Sequence, residues 1–191
     1  MKTFLTSLLL VLTMTTAQAE NARVLLQTSK GDITLELNAE KAPLTVANFV
    51  QYVNEKHYDG TVFHRVISGF MVQGGGFDEQ YKQKATRASI QNEAKNGLKN
   101  VRGSIAMART SDPHSASTQF FINHKNNDNL DYPSFDGWGY AVFGQVVDGM
   151  DVVDAIASVQ TGPIPPFGSD VPTSAIVIKS ATIVNNAKAA E

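Results

Sequence analysis

This sequence predicts a mainly β fold: a closed, eight-stranded antiparallel barrel capped by two α-helices. Three observations carry that expectation. Eight short runs of β-branched, aromatic or alternating residues are spread along the chain, only two segments carry helical periodicity, and no Pro/Gly-rich linker divides it. Two helices are too few for a parallel sheet, in which each pair of strands needs a crossover helix. Antiparallel strands leave no edge unpaired if they close into a barrel, and two amphipathic helices are the number needed to cover its ends. No internal repeat appears, and the length suits one domain.

The elements follow in order. Arg23–Ser29 (RVLLQTS) and Asp32–Leu37 (DITLEL) make a hairpin around Lys30-Gly31, with Ile33, Leu35 and Leu37 inward and Thr34 and Glu36 outward. Pro43 opens the first helix, where its missing N–H and fixed φ suit the first turn. Val46, Phe49, Val50 and Val53 form its apolar face, and the segment stops near His57–Gly60. Strands are expected at Thr61–Val66, Phe70–Gly74, Gly103–Ala108, Gln119–Asn123 and Ala141–Val147, then a second helix at Met150–Ser158. Gly162–Pro172, with Pro163, Pro165 and Pro166, is read as one surface loop before a last strand at Ala175–Val184. In the Thr61–Val66 strand, plain alternation puts Phe63 and Arg65 on one face and His64 and Val66 on the other.

The two ends of the chain read differently. Lys2, the apolar run Phe4–Met14 and the small-x-small site Ala17-Gln18-Ala19 before Glu20 form a secretory signal peptide over residues 1–19, too short to span a bilayer. The mature domain is then 20–191, with a frayed tail from about 185, and its expected location is a bacterial periplasm. No second apolar stretch approaches spanning length, so no membrane association is expected after cleavage.

Composition excludes several classes of chemistry. With 16 Lys+Arg against 18 Asp+Glu the net charge is −2, so the phosphate backbone of a nucleic acid is not an expected partner. The absence of cysteine removes disulfides, thiol nucleophiles, iron–sulfur clusters and Cys-based zinc sites. His57, His64, His114 and His124 lack metal-ligand spacing and accompanying carboxylates, and are read as solvated or core-edge residues. There is no GxSxG elbow for a hydrolase. Gly74-Gly75-Gly76 has no Lys-Ser/Thr after it and reads as a bulge or tight turn, not a phosphate loop.

One segment stands apart: Phe63-His64-Arg65-Val66-Ile67-Ser68-Gly69-Phe70-Met71-Val72-Gln73-Gly74-Gly75. Phe70, Met71 and Phe121 could each be ordinary core. In combination and in order, FHRVISGFMVQGG, GSIAMA, STQFFI and AVFGQVVDGMDVVDAI resemble the cyclophilin-type peptidyl-prolyl isomerases, from about Val24 to Val184. The look is closest to the bacterial periplasmic members, and the family's eight-stranded, two-helix barrel agrees with the count above.

The resemblance implies roles residue by residue. Arg65 matches the family's catalytic arginine, and Gln73, a polar flank of the site, is taken to serve catalysis either by orienting Arg65 or by accepting a substrate amide. Phe70, Met71, Phe121 and Leu130 match the proline-pocket wall. Gln119 matches a polar flank, and Ala108 and Arg109 match the stretch whose main chain pairs with the substrate. Tyr140 stands on the rim where many members carry His, and Asn129 where many carry Trp, which implies weaker binding of cyclosporin. The single tryptophan, Trp138, is expected to fold back near that rim. No metal and no cofactor is implied. The expected partners are Pro-containing, unfolded or partly folded exported polypeptides, met by a monomer. A barrel that holds Pro segments as a chaperone or adaptor with little turnover is the alternative, and the presence of Arg65 speaks against it.

Overall fold

In the computed structural model, which describes residues 22–184, ten strands and two helices follow one another along the chain. They are β1 (Arg23–Thr28), β2 (Gly31–Leu37), α1 (Pro43–Asn54), β3 (Thr61–Ile67), β4 (Met71–Asp78), β5 (Ser104–Met107), β6 (Phe120–Asn123), β7 (Val142–Asp148), α2 (Met150–Ala157), β8 (Thr161–Gly162), β9 (Val171–Pro172) and β10 (Val177–Val184). Eight of them close a barrel in the order β1-β10-β3-β4-β6-β5-β7-β2, antiparallel throughout. The segment 1–19, read above as a signal peptide, and the tail from 185 lie outside the described residues.

Alternation builds the barrel wall. Val24 and Leu26 of β1 and Ile33, Leu35 and Leu37 of β2 are all fully buried, as the period of two requires. The interior is filled by side chains rather than left as a channel. Phe49 of α1 lies in the middle of it, with ring centroids 5.0 Å from Tyr58, 5.6 Å from Phe120 and 5.2 Å from Phe143. An eight-stranded barrel is just wide enough for such side chains to fill, and here they occupy the interior.

The helices close the wall as their faces dictate. Pro43 starts α1, and the free N–H groups of Leu44 and Thr45 are met by the Glu93 carboxylate at 3.1 and 2.8 Å, a cap supplied from 48 residues away. Val50 is half-buried rather than buried, while Tyr52 joins the inward face. At α2, Val153, Ile156 and Ala157 are buried. Gly149 precedes α2 at φ +84°, where a Cβ would stand 2.2 Å from the Asp32 carbonyl oxygen.

Two expectations need correction. Gly162–Pro172 is not simply a surface loop: Thr161–Gly162 pairs with Val171–Pro172, and Val171 is buried where β9 packs against β3. The Phe70–Gly74 strand continues to Asp78, because the glycine run bulges without ending the pairing. At Gly75, φ is +86°, and a Cβ there would come within 2.9 Å of the Tyr58 and Phe120 rings. Glycine is what that close approach permits.

Candidate active site

Arg65 owes its direction to a bulge. Phe63 pairs with Gly74 and Arg65 with Gln73, so two steps along β3 match one along β4 and His64 is the extra residue. The plain alternation expected from sequence is therefore broken. Phe63 and Val66 both enter the core, while Arg65 turns out onto the sheet's outer face with its side chain 45% exposed. The shared face of Phe63 and Arg65 does not exist.

Outside the barrel wall, Met71, Ala106, Phe121, Leu130 and Val142 make a second, smaller apolar cluster, with Phe70, Ala108 and Tyr140 packed against it. It floors a cavity of about 100 Å³ lined by Arg65, Phe70, Met71, Gln73, Ala108, Arg109, Phe121, Leu130 and Tyr140. Nine of the ten residues proposed from sequence thus meet at one place. The tenth, Gln119, is one hydrogen bond away: its Oε1 accepts from Gln73 Nε2 at 3.0 Å. Gly76 makes that contact possible, since a Cβ there would sit 2.5 Å from Gln119 Cγ.

The polar contacts differ from expectation. Among the described residues no hydrogen bond joins Gln73 to Arg65. The carboxylate beside Arg65 is Asp170, with Nε and Oδ2 3.7 Å apart, and Asp170 is itself anchored where its carbonyl accepts from Val66 N at 2.8 Å. Sequence reasoning missed Asp170 because it lies in the segment dismissed as a loop, with no local pattern to flag it.

Arg109 has a second use that its main-chain assignment did not suggest. Its side chain is 3% exposed, donates to the carbonyls of Gly139 and Thr110 at 3.0 Å each, and pairs with the Asp136 carboxylate. That hydrogen bond holds the Asp136 carboxyl below its ordinary range. The guanidinium also lies 4.5 Å from the Tyr140 ring centroid, and Tyr140 meets Phe121 edge-on at 5.6 Å. Arg109 therefore ties the segment 131–140 and the cavity's outer wall together. Arg109→Ala is expected to cost on the order of 2 kcal/mol of stability, the scale for a buried charged group's hydrogen bonds. It should also speed amide exchange at Gly137 and Gly139, which hydrogen-exchange NMR would report.

The same segment disposes of the expectation for Trp138. Asp136 Oδ1 accepts from the Trp138 and Gly139 amides at 3.0 and 3.4 Å, and the indole turns edge-on to His114 at 4.8 Å. Trp138 is not among the residues lining the cavity. Asn129 is exposed, and its carbonyl accepts from Ser134 Oγ at 2.6 Å.

Residues 23–183 match the family model described as cyclophilin type peptidyl-prolyl cis-trans isomerase/CLD. A peptidyl-prolyl cis-trans isomerase of Streptomyces antibioticus is 58% identical over 161 residues, covering 83% of this chain and 96% of that protein. Peptidyl-prolyl cis-trans isomerase B of Escherichia coli (strain K12) is 54% identical over 162 residues, covering 84% and 98%. Among solved structures, a cyclophilin type isomerase of Cryptosporidium parvum, crystallised in the presence of the dipeptide Ala-Pro, aligns with a TM-score of 0.71 at 28% identity, covering 86% of this chain and 99% of that one.

Proposed function

The chain belongs to the cyclophilin-type peptidyl-prolyl cis-trans isomerases and is an enzyme that rotates X–Pro peptide bonds; on that premise we propose that Arg65 carries the catalysis and that the substrates are exported polypeptides in the course of folding. The observation that carries the assignment is a guanidinium at the mouth of a small cavity with an apolar floor, on a protein surface rather than inside the barrel.

Rotation about an X–Pro bond must break amide resonance, a barrier of ~18–20 kcal/mol. In the twisted transition state the imide nitrogen becomes pyramidal and gains a lone pair that the planar ground state lacks. Arg65 presents fixed N–H donors to that lone pair, and a guanidinium keeps its charge. Because the contact exists only at the transition state, it lowers the barrier instead of merely tightening binding. Phe70, Met71, Phe121 and Leu130 hold the pyrrolidine ring in an apolar setting, which disfavours the charge-separated planar form. The main chain at Ala108–Arg109 holds the residue before proline, and Tyr140 closes the rim. Gln73 and Gln119, bonded to each other, offer amide groups to the substrate backbone beside Arg65. The Ala-Pro dipeptide present with the Cryptosporidium parvum relative supports a proline-containing ligand.

Exchange NMR on a blocked Ala-Pro peptide is the direct test. Catalytic amounts of protein should broaden and merge the cis and trans resonances, and unchanged exchange would remove the assignment. The exported-substrate part rests on the signal peptide read over residues 1–19. Intact mass measurement of the protein from its host should give a chain beginning at Glu20, released with the periplasmic fraction on osmotic shock. A chain that keeps Met1–Ala19 would contradict it.

A further inference from the structure

A second, larger cavity adjoins the first across Arg65 and Gln73, which line both. It measures about 370 Å³ against about 100 Å³ for the first. Three aromatic rings from separate parts of the chain wall it: His64 on β3, Phe77 on β4, and Phe167 between β8 and β9. The His64 ring lies 4.7 Å from Phe77 and 5.4 Å from Phe167, and Phe77 meets Phe167 edge-on at 4.8 Å. His64 is only 4% exposed, and burial keeps its ring uncharged at neutral pH. The wall is therefore apolar, with Gln119 and the Asp170 carboxylate at its polar edge.

We propose that this cavity is a substrate subsite that takes a large aromatic or aliphatic side chain one or two positions after the proline, with Phe167 setting the preference. The inference rests on the reading of the first cavity as the proline site. The residue before proline runs along Ala108–Arg109, and neither of those lines the second cavity. The chain leaving proline on the other side must pass Arg65 and Gln73. An extended chain advances ~3.3 Å per residue, so one or two residues cross that shared wall. The continuity of the two cavities, together with the aromatic lining, is what selects an apolar side chain of the same peptide as occupant. The Arg65–Asp170 pair sits at this crossing, so the site that binds the downstream residue also touches the residue that acts on the imide.

The test uses blocked peptides that share Ala-Ala-Pro and carry Phe or Ala at the first and second positions after proline, with kcat/KM from exchange NMR. The Phe peptides should be turned over about tenfold better than the all-Ala peptide by the wild type, which corresponds to ~1.4 kcal/mol. Phe167→Ala should bring that ratio to within about twofold, and Phe167→Leu should keep part of it. Independently of any variant, titrating the wild type with a Phe peptide should shift the amide resonances of Gly168 and Val171, and the all-Ala peptide should not. Equal turnover of both peptides by the wild type overturns the subsite while the proline site stands, and so does a ratio untouched by Phe167→Ala. Wild-type protein that accelerates neither peptide overturns the proline site and the subsite with it.

Discussion

Arg65→Ala is expected to lower kcat/KM by on the order of 10²–10³, the scale on which one preorganised transition-state donor acts. The loss should fall mainly on kcat, since the lone pair that Arg65 meets does not exist in the bound ground state. Folding should barely change. The side chain is 45% exposed, and its carboxylate neighbour Asp170, at 3.7 Å, is 38% exposed, a pair worth less than ~1 kcal/mol in water. Arg65→Lys separates charge from geometry: it keeps the cation but loses the planar fork of donors, and should recover only a small part of the rate. The measurements are exchange NMR for turnover and urea midpoints for stability. An Arg65→Ala protein with wild-type turnover and an unchanged midpoint would sink the mechanism, whereas a large fall in midpoint would mean that Arg65 matters for folding first.

What the sequence made legible was what local period can encode. The alternation of Ile33, Leu35 and Leu37, the Pro43 start and the Val46–Phe49–Val53 face of α1 are set by neighbours within a turn or a strand, and the structure has them where the pattern puts them. Strand count and the lack of crossover helices were enough for closure. The direction of Arg65 was not legible. The bulge at His64 depends on how β3 pairs with β4, and that pairing is shaped by Gly75 and Gly76 fitting against Tyr58, Phe120 and Gln119, residues from distant parts of the chain. The same reason hid Asp170 beside Arg65, the Glu93 cap on α1 and the ion pair that buries Arg109: each is a pairing across 27 residues or more with no periodic trace. Pocket membership came through the motif resemblance instead. Phe70, Met71, Phe121 and Leu130 would pass as core on hydrophobicity alone, and they are in fact packed as a small cluster, on the outer face of the wall.

Acidification from pH 7.5 to 4.5 is expected to remove about 2.5 kcal/mol of stability through His64 alone. Burial lowers the His64 pKa from 6.5 to about 4, helped by the neighbouring Arg65 charge and opposed by the nearby polar groups of Val62 and Gln119. The sign follows from proton uptake. Between pH 6.5 and about 4 the unfolded chain holds a proton on this imidazole and the native one does not, so stability rises with pH through that window. The contribution is fully present above pH 6.5 and is lost as pH falls toward 4. His57, 9% exposed and lowered chiefly by burial, acts in the same direction. Asp136, whose carboxyl is held low by Arg109, responds only below its ordinary value of 3.8 and so leaves this window clear. His64→Phe keeps a ring against Phe77 and Phe167 but cannot titrate. Urea unfolding at pH 7.5, 6.5, 5.5 and 4.5 should show the wild type weakening progressively and the variant retaining most of its stability apart from the His57 share. Parallel pH profiles for the two proteins, or a native His64 ring that titrates near 6.5 by NMR, would show that the buried imidazole is not the acid-sensitive group.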